Sequence, residues 1–348
     1  MRKLTSQNIR HLKNKSIKRL RNRVKRKDKI YSGLSNTYQN KKNKTGYQYN
    51  NTQNTPTLYF EDIDAPEKFN LQAENCEEFI SFISKLKKYG QSNENINIKL
   101  NNTTEVGEGA IAMLLSVIDE LSRKGILITG TKPKPGVDRD IFEKSGFFKF
   151  MAGQIDNKNR NSKNTILRTG GTLSTHIDLS DEIKIANETV WDEKGRNPPL
   201  RGTVFEMMRN SHDHAFKNDK NIIWHFAISH DDENNEVKFS FVDNGRGIIK
   251  SFTEGFLSTF LNFFTDNTDL LETAFRDGIE SRTGLSWRGK GLPTIFENYK
   301  DGYFNNLVVI TNDVYLDFDR KIYKKLRVSF VGTYYFWKLN RNCTKACY

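Results

Sequence analysis

The basic residues of this 348-residue chain are concentrated at its N-terminus, and this limits where a folded core can form. Residues 1–58 contain 16 Lys or Arg and one acid, Asp28, whereas the whole chain carries a net charge of +13, so the remainder is close to neutral. The segment 31–57 is rich in Asn, Gln, Thr, Tyr, Lys and Gly and nearly lacks aliphatic residues, so burial cannot offset the entropy of ordering it. We predict a basic arm at 1–30, a disordered low-complexity linker at 31–57 and a folded part from about Leu58.

Two interpretations of the basic arm are about equally favoured. Its charge density suits contacts with the phosphates of DNA or RNA, and a solvated tail would have the same composition. An anionic membrane surface or a transit peptide is a third, less favoured alternative. The arm shows no zinc-ligand spacing, no helix-turn-helix pattern and no aromatic platform that would read bases.

Cysteine use and hydropathy point to a cytoplasmic protein. Cys76, Cys343 and Cys347 form neither a disulfide framework nor a metal-ligand set, which favours a reducing compartment. The longest apolar stretch, GAIAMLLSVI, has about ten residues, well short of the ~20 that a membrane-spanning helix needs. No apolar region follows the basic start, as a signal peptide would require.

Between 58 and 155, predicted strands and helices alternate. CEEFISFISKLKKYG predicts a helix that stops at Gly90, INIKL a strand, GAIAMLLSVIDELSRKG a helix, ILITG a short buried strand, and DRDIFEKSGFFKF a further helix. This alternation predicts a small layered α/β unit. The order and wording resemble the STAS domain of anti-sigma-factor antagonists. In that family a hydroxyl residue before the long helix accepts phosphate, whereas here Glu108 or Gly109 stands in its place.

This substitution has a chemical consequence for the STAS-like unit. No phosphoester can form without a hydroxyl, so the resemblance implies a docking or regulatory module that is not itself a substrate at this place. The Glu108 carboxylate would mimic a phosphate, or, as the favoured interpretation, it is simply an acid stabilised by the positive end of the helix dipole.

The stretch SFVDNGRGI is a strand that runs directly into a turn with two glycines. An Asn-Gly hairpin is one interpretation, because these residues accept the positive φ of a tight turn. The other is a nucleotide pocket, in which Asp243 is an acceptor at the strand end and the glycines let a ring or phosphates approach the backbone. The stretch alone leaves both open.

Two other stretches carry polar or glycine patterns on predicted helices. In PLRGTVFEMMRNSHDHAF, one stripe is suited to a core, while Glu206, Asn210 and His214 share another face, which on its own is best explained as a solvated face. In GKGLPTIFENY, Gly289 and Gly291 precede a helix whose free N–H groups would hold phosphate. The strands LVVIT and LRVSFVGTYYFWKL close this half of the chain.

Taken together, these motifs resemble the ATP-binding domain shared by gyrase, heat-shock 90 chaperones, histidine kinases and MutL repair proteins (the GHKL superfamily). The resemblance covers about 165–340, with the N box as EMMRN, the first glycine box as DNGRGI, the second as GKGL and a final Gly-Thr in GTYYF. It implies an α/β (α+β) protein whose second domain is a Bergerat-type sandwich with helices on one face of a mixed sheet. The continuation NSHDHAF is similar to the anti-sigma serine kinases.

The resemblance also implies roles for individual residues. Asp243 would accept a hydrogen bond from the adenine amine with support from Thr333, while Gly247 would keep the backbone clear of the ring. Asn210 would be the Mg²⁺ ligand. Glu206 would polarise a water or a protein hydroxyl for attack on the γ-phosphate of ATP.

A second group of residues would contact the phosphates and the rest of the nucleotide. The residues expected at the phosphates are Arg288, Gly289, Lys290 and Gly291, with Arg282 as an alternative to Arg288. The other expected contacts are His214, Gly245, Ile248 and Leu292. The stretch 250–288, between the two glycine boxes, would be a lid that orders over bound ATP.

Three functions follow as hypotheses. The leading one is an ATP-dependent regulatory switch with slow hydrolysis, which acts on a protein partner and uses ATP and Mg²⁺. The second is a protein-serine kinase that phosphorylates a separate STAS-type partner. The third is a nucleic-acid-bound effector or adaptor that uses residues 1–30, with ATP as its trigger. A homodimer is compatible with all three.

Overall fold

The computed structural model describes residues 47–49, 56–151, 165–170, 179–215, 223–253, 264–278 and 290–346. The chain divides into two compact units, Met1–Thr57 and Leu58–Tyr348. At the end of the first unit, strand β1 (Tyr47–Tyr49) pairs with β2 (Pro56–Leu58). The predicted linker therefore contains strand residues, while the predicted arm, 1–30, lies outside the described residues.

The first layer of the second unit is a small parallel sheet with helices. Its elements are β3 (Phe60–Asp64), α1 (Cys76–Gln91), β4 (Asn95–Lys99), α2 (Glu108–Arg123), β5 (Ile128–Gly130), α3 (Val137–Lys144) and α4 (Phe147–Met151). The strands lie in the order β3-β4-β5, and both pairings are parallel. The predicted strand–helix alternation is confirmed here, since each parallel pair needs a helical crossover between its strands.

Helix α1 does not end where the sequence predicts. The expected stop, Gly90, is inside the helix and buried, and a Cβ at this position would lie 2.2 Å from Leu121 Cδ2 on α2. Gly90 therefore serves the close packing of the two helices, a role that local sequence signals do not distinguish from a helix end. The helix instead ends one residue later, before Ser92.

The second layer is a five-stranded sheet with a further set of helices. Its elements are β6 (Thr165–Gly170), α5 (Ser180–Trp191), α6 (Pro198–Asn210), a π-helical turn (Ser211–Ala215), β7 (Ile223–Asp231), β8 (Glu236–Asp243), α7 (Ile248–Thr253), α8 (Asn267–Arg276), α9 (Gly291–Lys300), β9 (Asn305–Asp317) and β10 (Ile322–Leu339). The strand order is β6-β7-β8-β10-β9. The chain is thus a mixed α/β protein with one parallel and one antiparallel sheet.

The larger sheet is antiparallel wherever the structure describes it, so the prediction of a mixed sheet is wrong for these strands. Strands β8 and β9 run in the same direction, but β10 lies between them and is antiparallel to both. The helices between β8 and β9 carry the chain across, and the long β9–β10 hairpin then supplies the neighbour of β8.

Both faces of the larger sheet are covered: the helices from the same half of the chain, α5–α9, lie on one face, and α1 and α2 lie on the other. Alternate residues of β8 point to opposite sides: Phe239 and Phe241 belong to the core with α5–α9, whereas Val242 belongs to the core with α1 and α2. Helix α1 packs against β10, and α2 packs against β7 and β8. Twelve of the sixteen residues of α2 are buried, because it lies between the two sheets.

The described residues contain no helix that is both long and apolar enough to cross a membrane. Cys76 and Cys343 are buried free thiols. Cys347 lies outside the described residues.

Candidate functional site

Helix α6 carries two of the predicted site residues. The side chain of Asn197 caps it by accepting a hydrogen bond from the Leu200 backbone N–H at 3.1 Å, and prolines occupy its first positions. A buried apolar stripe fixes its rotation: Leu200, Val204, Met207 and Met208. Glu206 and Asn210, one turn apart and half-buried, therefore face away from that stripe.

The start of helix α9 meets these two side chains. A Cβ at Gly291 would lie 2.8 Å from Glu206 Oε2 and 3.0 Å from Asn210 Oδ1. The second glycine box and the N box, about 80 residues apart in sequence, are thus in contact, and any larger residue at Gly291 would press on both side chains. Lys290, just before the helix, is exposed, and Leu292 is buried in the core.

The π-helical turn after α6 brings Ser211 to the end of β8. Ser211 Oγ donates a 2.8 Å hydrogen bond to Asp243 Oδ2, and the Gly245 backbone N–H donates to Asp243 Oδ1 at 2.9 Å. The backbone of Thr333 also hydrogen-bonds this carboxylate. Since a carboxylate has about four acceptor positions, these three bonds leave room for about one more donor.

Asp243 is only 3% exposed. Burial raises the pKa of its carboxyl to about 6, because removal from water disfavours the charged form, and the three hydrogen bonds act in the opposite direction. The group is therefore mostly ionised at neutral pH. A buried carboxylate with one acceptor position open is suited to bind an N–H donor of a ligand.

Residues in the middle of β10 complete the site beside Asp243. Thr333 pairs with Asp243 across the sheet, and both are buried. Gly332, at φ +144°, lies so close that a Cβ would be 2.2 Å from the Asp243 carbonyl oxygen. Tyr335, two residues on, has a buried hydroxyl beside Asn210, and neither this Oη nor Asn210 Nδ2 has a well-formed hydrogen bond among the described residues.

The DNGRGI turn does not form a hairpin, because it leads from β8 into helix α7, whose N-terminus begins at Ile248. Gly247 has φ +85°, and a Cβ there would overlap the side chain of Asn312 on β9 at 2.4 Å. Asn312 Nδ2 donates to the Arg246 carbonyl at 2.8 Å, and the Ile248 N–H donates to Thr311 Oγ1 at 2.9 Å. Strand β9 thus holds the glycine turn in place.

The structure therefore brings most of the predicted residues together around the β8 end and the start of α9. The side chain of His214, and Arg282, Arg288 and Gly289, lie outside the described residues. Half of the predicted lid also lies there, but its described part includes α8, whose Leu270, Leu271 and Phe275 are in the core. Moving α8 would expose these side chains at about 1.5–3 kcal/mol each, so α8 does not act as a lid.

Sequence reasoning missed three residues that shape the site: Ser211, Thr311 and Asn312. The helical spacing of Val204, Met208, Ser211 and Ala215 predicts Ser211 on the core stripe of its helix, and the change to π-helical geometry, which redirects it, has no clear sequence signal. Asn312 has φ +52°, a conformation that Asn adopts more readily than most residues, but nothing local shows that its partner is a turn 66 residues away.

No family model matches this sequence, and no curated protein matches it either. Among the described residues, no group of three or more His, Cys, Asp or Glu is arranged to hold a metal ion.

Proposed function

We propose that the half of the chain from 165 to 340 binds ATP as a GHKL-type domain, and that the protein is an ATP-dependent regulatory switch. One observation carries the proposal. Motifs that are far apart in sequence meet at one place: Asp243 is bonded to Ser211 and the backbone of Thr333, and Gly291 touches Glu206 and Asn210. A purely structural sheet does not require these residue types to converge.

Adenine recognition would depend on Asp243. The open acceptor position of its carboxylate would take the exocyclic amine of adenine, whereas the space at Gly247 that a Cβ would occupy is filled by Asn312, so Gly247 supports the turn. Guanine presents a carbonyl oxygen where adenine has the amine, so the buried carboxylate would oppose it. Loss of such a pair leaves a buried polar group unsatisfied, which is why discrimination at this contact is strong.

The phosphates would lie at the start of α9, whose first backbone N–H groups are free of helical partners. The Asn210 amide offers a hard cation its oxygen, which faces Gly291 at the start of α9. Bound Mg²⁺ would neutralise charge on the phosphates. Glu206 would then orient and deprotonate a water or a protein hydroxyl for attack on the γ-phosphate.

The STAS-like layer is expected to be a regulatory part and not the phosphorylation substrate. Gly109, the second residue of α2, lies beneath the buried Tyr334 hydroxyl, where a Cβ would be only 1.9 Å away, so no hydroxyl side chain has room there. Kinase activity on a separate STAS-type partner remains the alternative, since the chemistry at Glu206 would be the same. A nucleic-acid role for residues 1–30 stays a prediction.

Calorimetry on the full chain tests the binding proposal. With Mg²⁺ present, we expect heat of binding with ADP and ATP but not with GDP. Asp243→Asn should bind ADP about 100-fold more weakly, because the Asn amide group brings an N–H donor to a position where the ligand also presents an N–H donor. The control is Asp181→Asn, the same chemical change at an exposed residue on α5. Equal ADP affinity in wild type and Asp243→Asn would overturn the site assignment.

Turnover separates the functional classes. In Glu206→Gln, we expect ADP affinity within about threefold of wild type and a loss of at least about 100-fold in phosphate release or transfer. Free phosphate from γ-labelled ATP supports the switch with slow hydrolysis, whereas label on an added STAS-type protein supports the kinase. Unchanged turnover in Glu206→Gln would show that Glu206 is not the catalytic base.

A further inference from the structure

The end of β8 and the adjoining middle part of β10, which together form the floor of the proposed site, are joined from the opposite side of the sheet by a lysine of the STAS-like layer. Lys87, on α1, is largely buried, and its Nζ lies 3.1 Å from the carbonyl oxygen of Val331 on β10. The same Nζ lies 3.4 Å from Oδ1 of Asn244, the residue that follows Asp243. One cation thus contacts both β8 and β10.

The position of these contacts matters because the β8–β10 ladder ends here. The Asp243–Thr333 pair is the last in the register, so no further backbone pairing between these strands holds the two residues together. Asn244 directly follows Asp243, and Val331 lies two residues before Thr333. The Lys87 ammonium therefore supplies the next connection after the ladder ends.

Further contacts keep Lys87 and Asn244 in place. Glu120 of α2 forms an ion pair with Lys87 at 3.2 Å, and the ammonium lies 5.7 Å from the centroid of the Phe330 ring. Asn244 Nδ2 donates to the carbonyl of Ser116 on α2 at 2.9 Å. Burial lowers the pKa of Lys87. These contacts link α1, α2, β10 and the residue after β8 in one half-buried network.

We infer that Lys87 is a positioning residue for the proposed nucleotide site, through which docking of the STAS-like layer on the sheet controls affinity for adenine nucleotide. This inference rests on the proposed function. Tolerance between the end of β8 and β10 is small, because a Cβ at Gly332 would already be 2.2 Å from the Asp243 carbonyl oxygen. A shift of the β8 end relative to β10 would misplace the open acceptor position of Asp243.

Coupling of this kind is reciprocal. If docking of α1 on Asn244 and Val331 favours nucleotide binding, bound nucleotide must favour docking of α1 by the same free energy. The result would be a switch. A partner that loosens the packing of α1 on β10 would release nucleotide, and bound nucleotide would strengthen that packing.

The test compares ADP affinity and amide hydrogen exchange in variants of the full chain. We expect Lys87→Met to bind ADP about tenfold more weakly, which corresponds to one charge-assisted hydrogen bond. Lys87→Arg keeps a cation with several donors and should recover affinity to within about threefold of wild type. Lys85→Met, an exposed lysine on the same helix, is the control and should bind like wild type.

The second readout is protection of α1 by ADP. In wild type, ADP should slow amide exchange in 76–91, and in Lys87→Met this protection should be lost. Lys87→Met should fold, because Glu120 keeps its 2.7 Å ion pair with Lys124. If it does not fold, Asn244→Ala removes the same contact from β8 and should show the same losses.

The outcomes are separable. Wild-type ADP affinity and undiminished α1 protection in Lys87→Met would overturn the inference and leave the nucleotide site intact, even if this variant were less stable. A folded wild type that binds no adenine nucleotide would overturn the proposed function, and the inference with it.

Discussion

Two helices on opposite faces of the five-stranded sheet, α2 and α9, have a glycine in their first turn, and the surroundings of those glycines differ. At the start of α2, a Cβ at Gly109 would collide with the hydroxyl of Tyr334, a buried side chain that already has Ser240 as a partner. At the start of α9, a Cβ at Gly291 would press on the carboxylate of Glu206 and the amide of Asn210.

The difference teaches that a glycine at a helix start has at least two uses. At Gly109 the nearest polar group is the buried Tyr334 hydroxyl, which has Ser240 as a partner, so the glycine serves the packing of α2 on β10. Around Gly291 the side chains are half-buried, and Asn210 Nδ2 lacks a partner among the described residues, so the glycine preserves space beside groups that can still bind a ligand.

Gly291→Ala should produce the largest effect on binding. The added methyl would displace the ends of two flexible side chains, so folding should be nearly unaffected, whereas ADP affinity should fall about 100-fold as the phosphate position is filled. Calorimetry and urea denaturation on the same sample measure both quantities. A large loss of stability with unchanged ADP affinity would place Gly291 with Gly109, as a packing residue.

Gly109→Ala should have the reverse effect. The methyl would meet a rigid, buried tyrosine, and such overpacking costs about 1–3 kcal/mol of unfolding free energy, with ADP affinity changed much less. Gly202→Ala on α6 is the matched control, since no atom lies within 4 Å of a Cβ there and the change should stabilise by about 0.5–1 kcal/mol. If both variants had the same stability, close packing at Gly109 would be disproved.

The pH dependence of binding should give a smaller effect. Because the pKa of Asp243 is raised to about 6, its carboxyl becomes protonated as pH falls through that value, and ADP affinity should drop by about tenfold between pH 7 and pH 5. Asp243→Asn, titrated at higher ADP concentration, should not show this drop in ADP affinity between pH 7 and pH 5. An identical pH profile in the variant would assign the titration to another group.

The same shift has a defined sign for stability. The folded state holds the Asp243 proton more tightly than the unfolded state, whose carboxyl has a pKa near 3.8. The unfolding free energy contributed by this group is therefore greatest below about pH 4 and declines as pH rises to about 6. As pH falls through about 6, ADP affinity should therefore decrease while the contribution of Asp243 to the unfolding free energy increases.

Local patterns were enough to predict several elements. The apolar spacing of α1 is confirmed, since Phe79, Ile80, Ile83 and Leu86 are all buried, and α2 ends before Gly125, which has φ +89°. The strand that leads to Asp243 and the helix that carries Glu206 and Asn210 are also where the sequence places them.

Long-range packing set the limits of prediction. No local signal shows that α1 and α2 cover the second face of the larger sheet, or that α8 belongs to the core, because an apolar helix face does not specify its partner. The contacts of Lys87 with Val331 and Asn244 span about 240 and 160 residues, so only the folded chain shows them. The residues proposed to contact the ligand lie within sequence motifs, so the sequence alone predicts them. The residues that support them lie outside those motifs, and only the structure shows them.

The most direct test of the central claim is a crystal structure of the full chain with ADP and Mg²⁺. The account predicts that the adenine amine donates to the Asp243 carboxylate, and that the phosphates lie between Asn210 and the start of α9 at Gly291. The account would be contradicted by a nucleotide that makes no contact with Asp243 and binds elsewhere. One such place is the cavity of about 620 Å³ between α2 and β10.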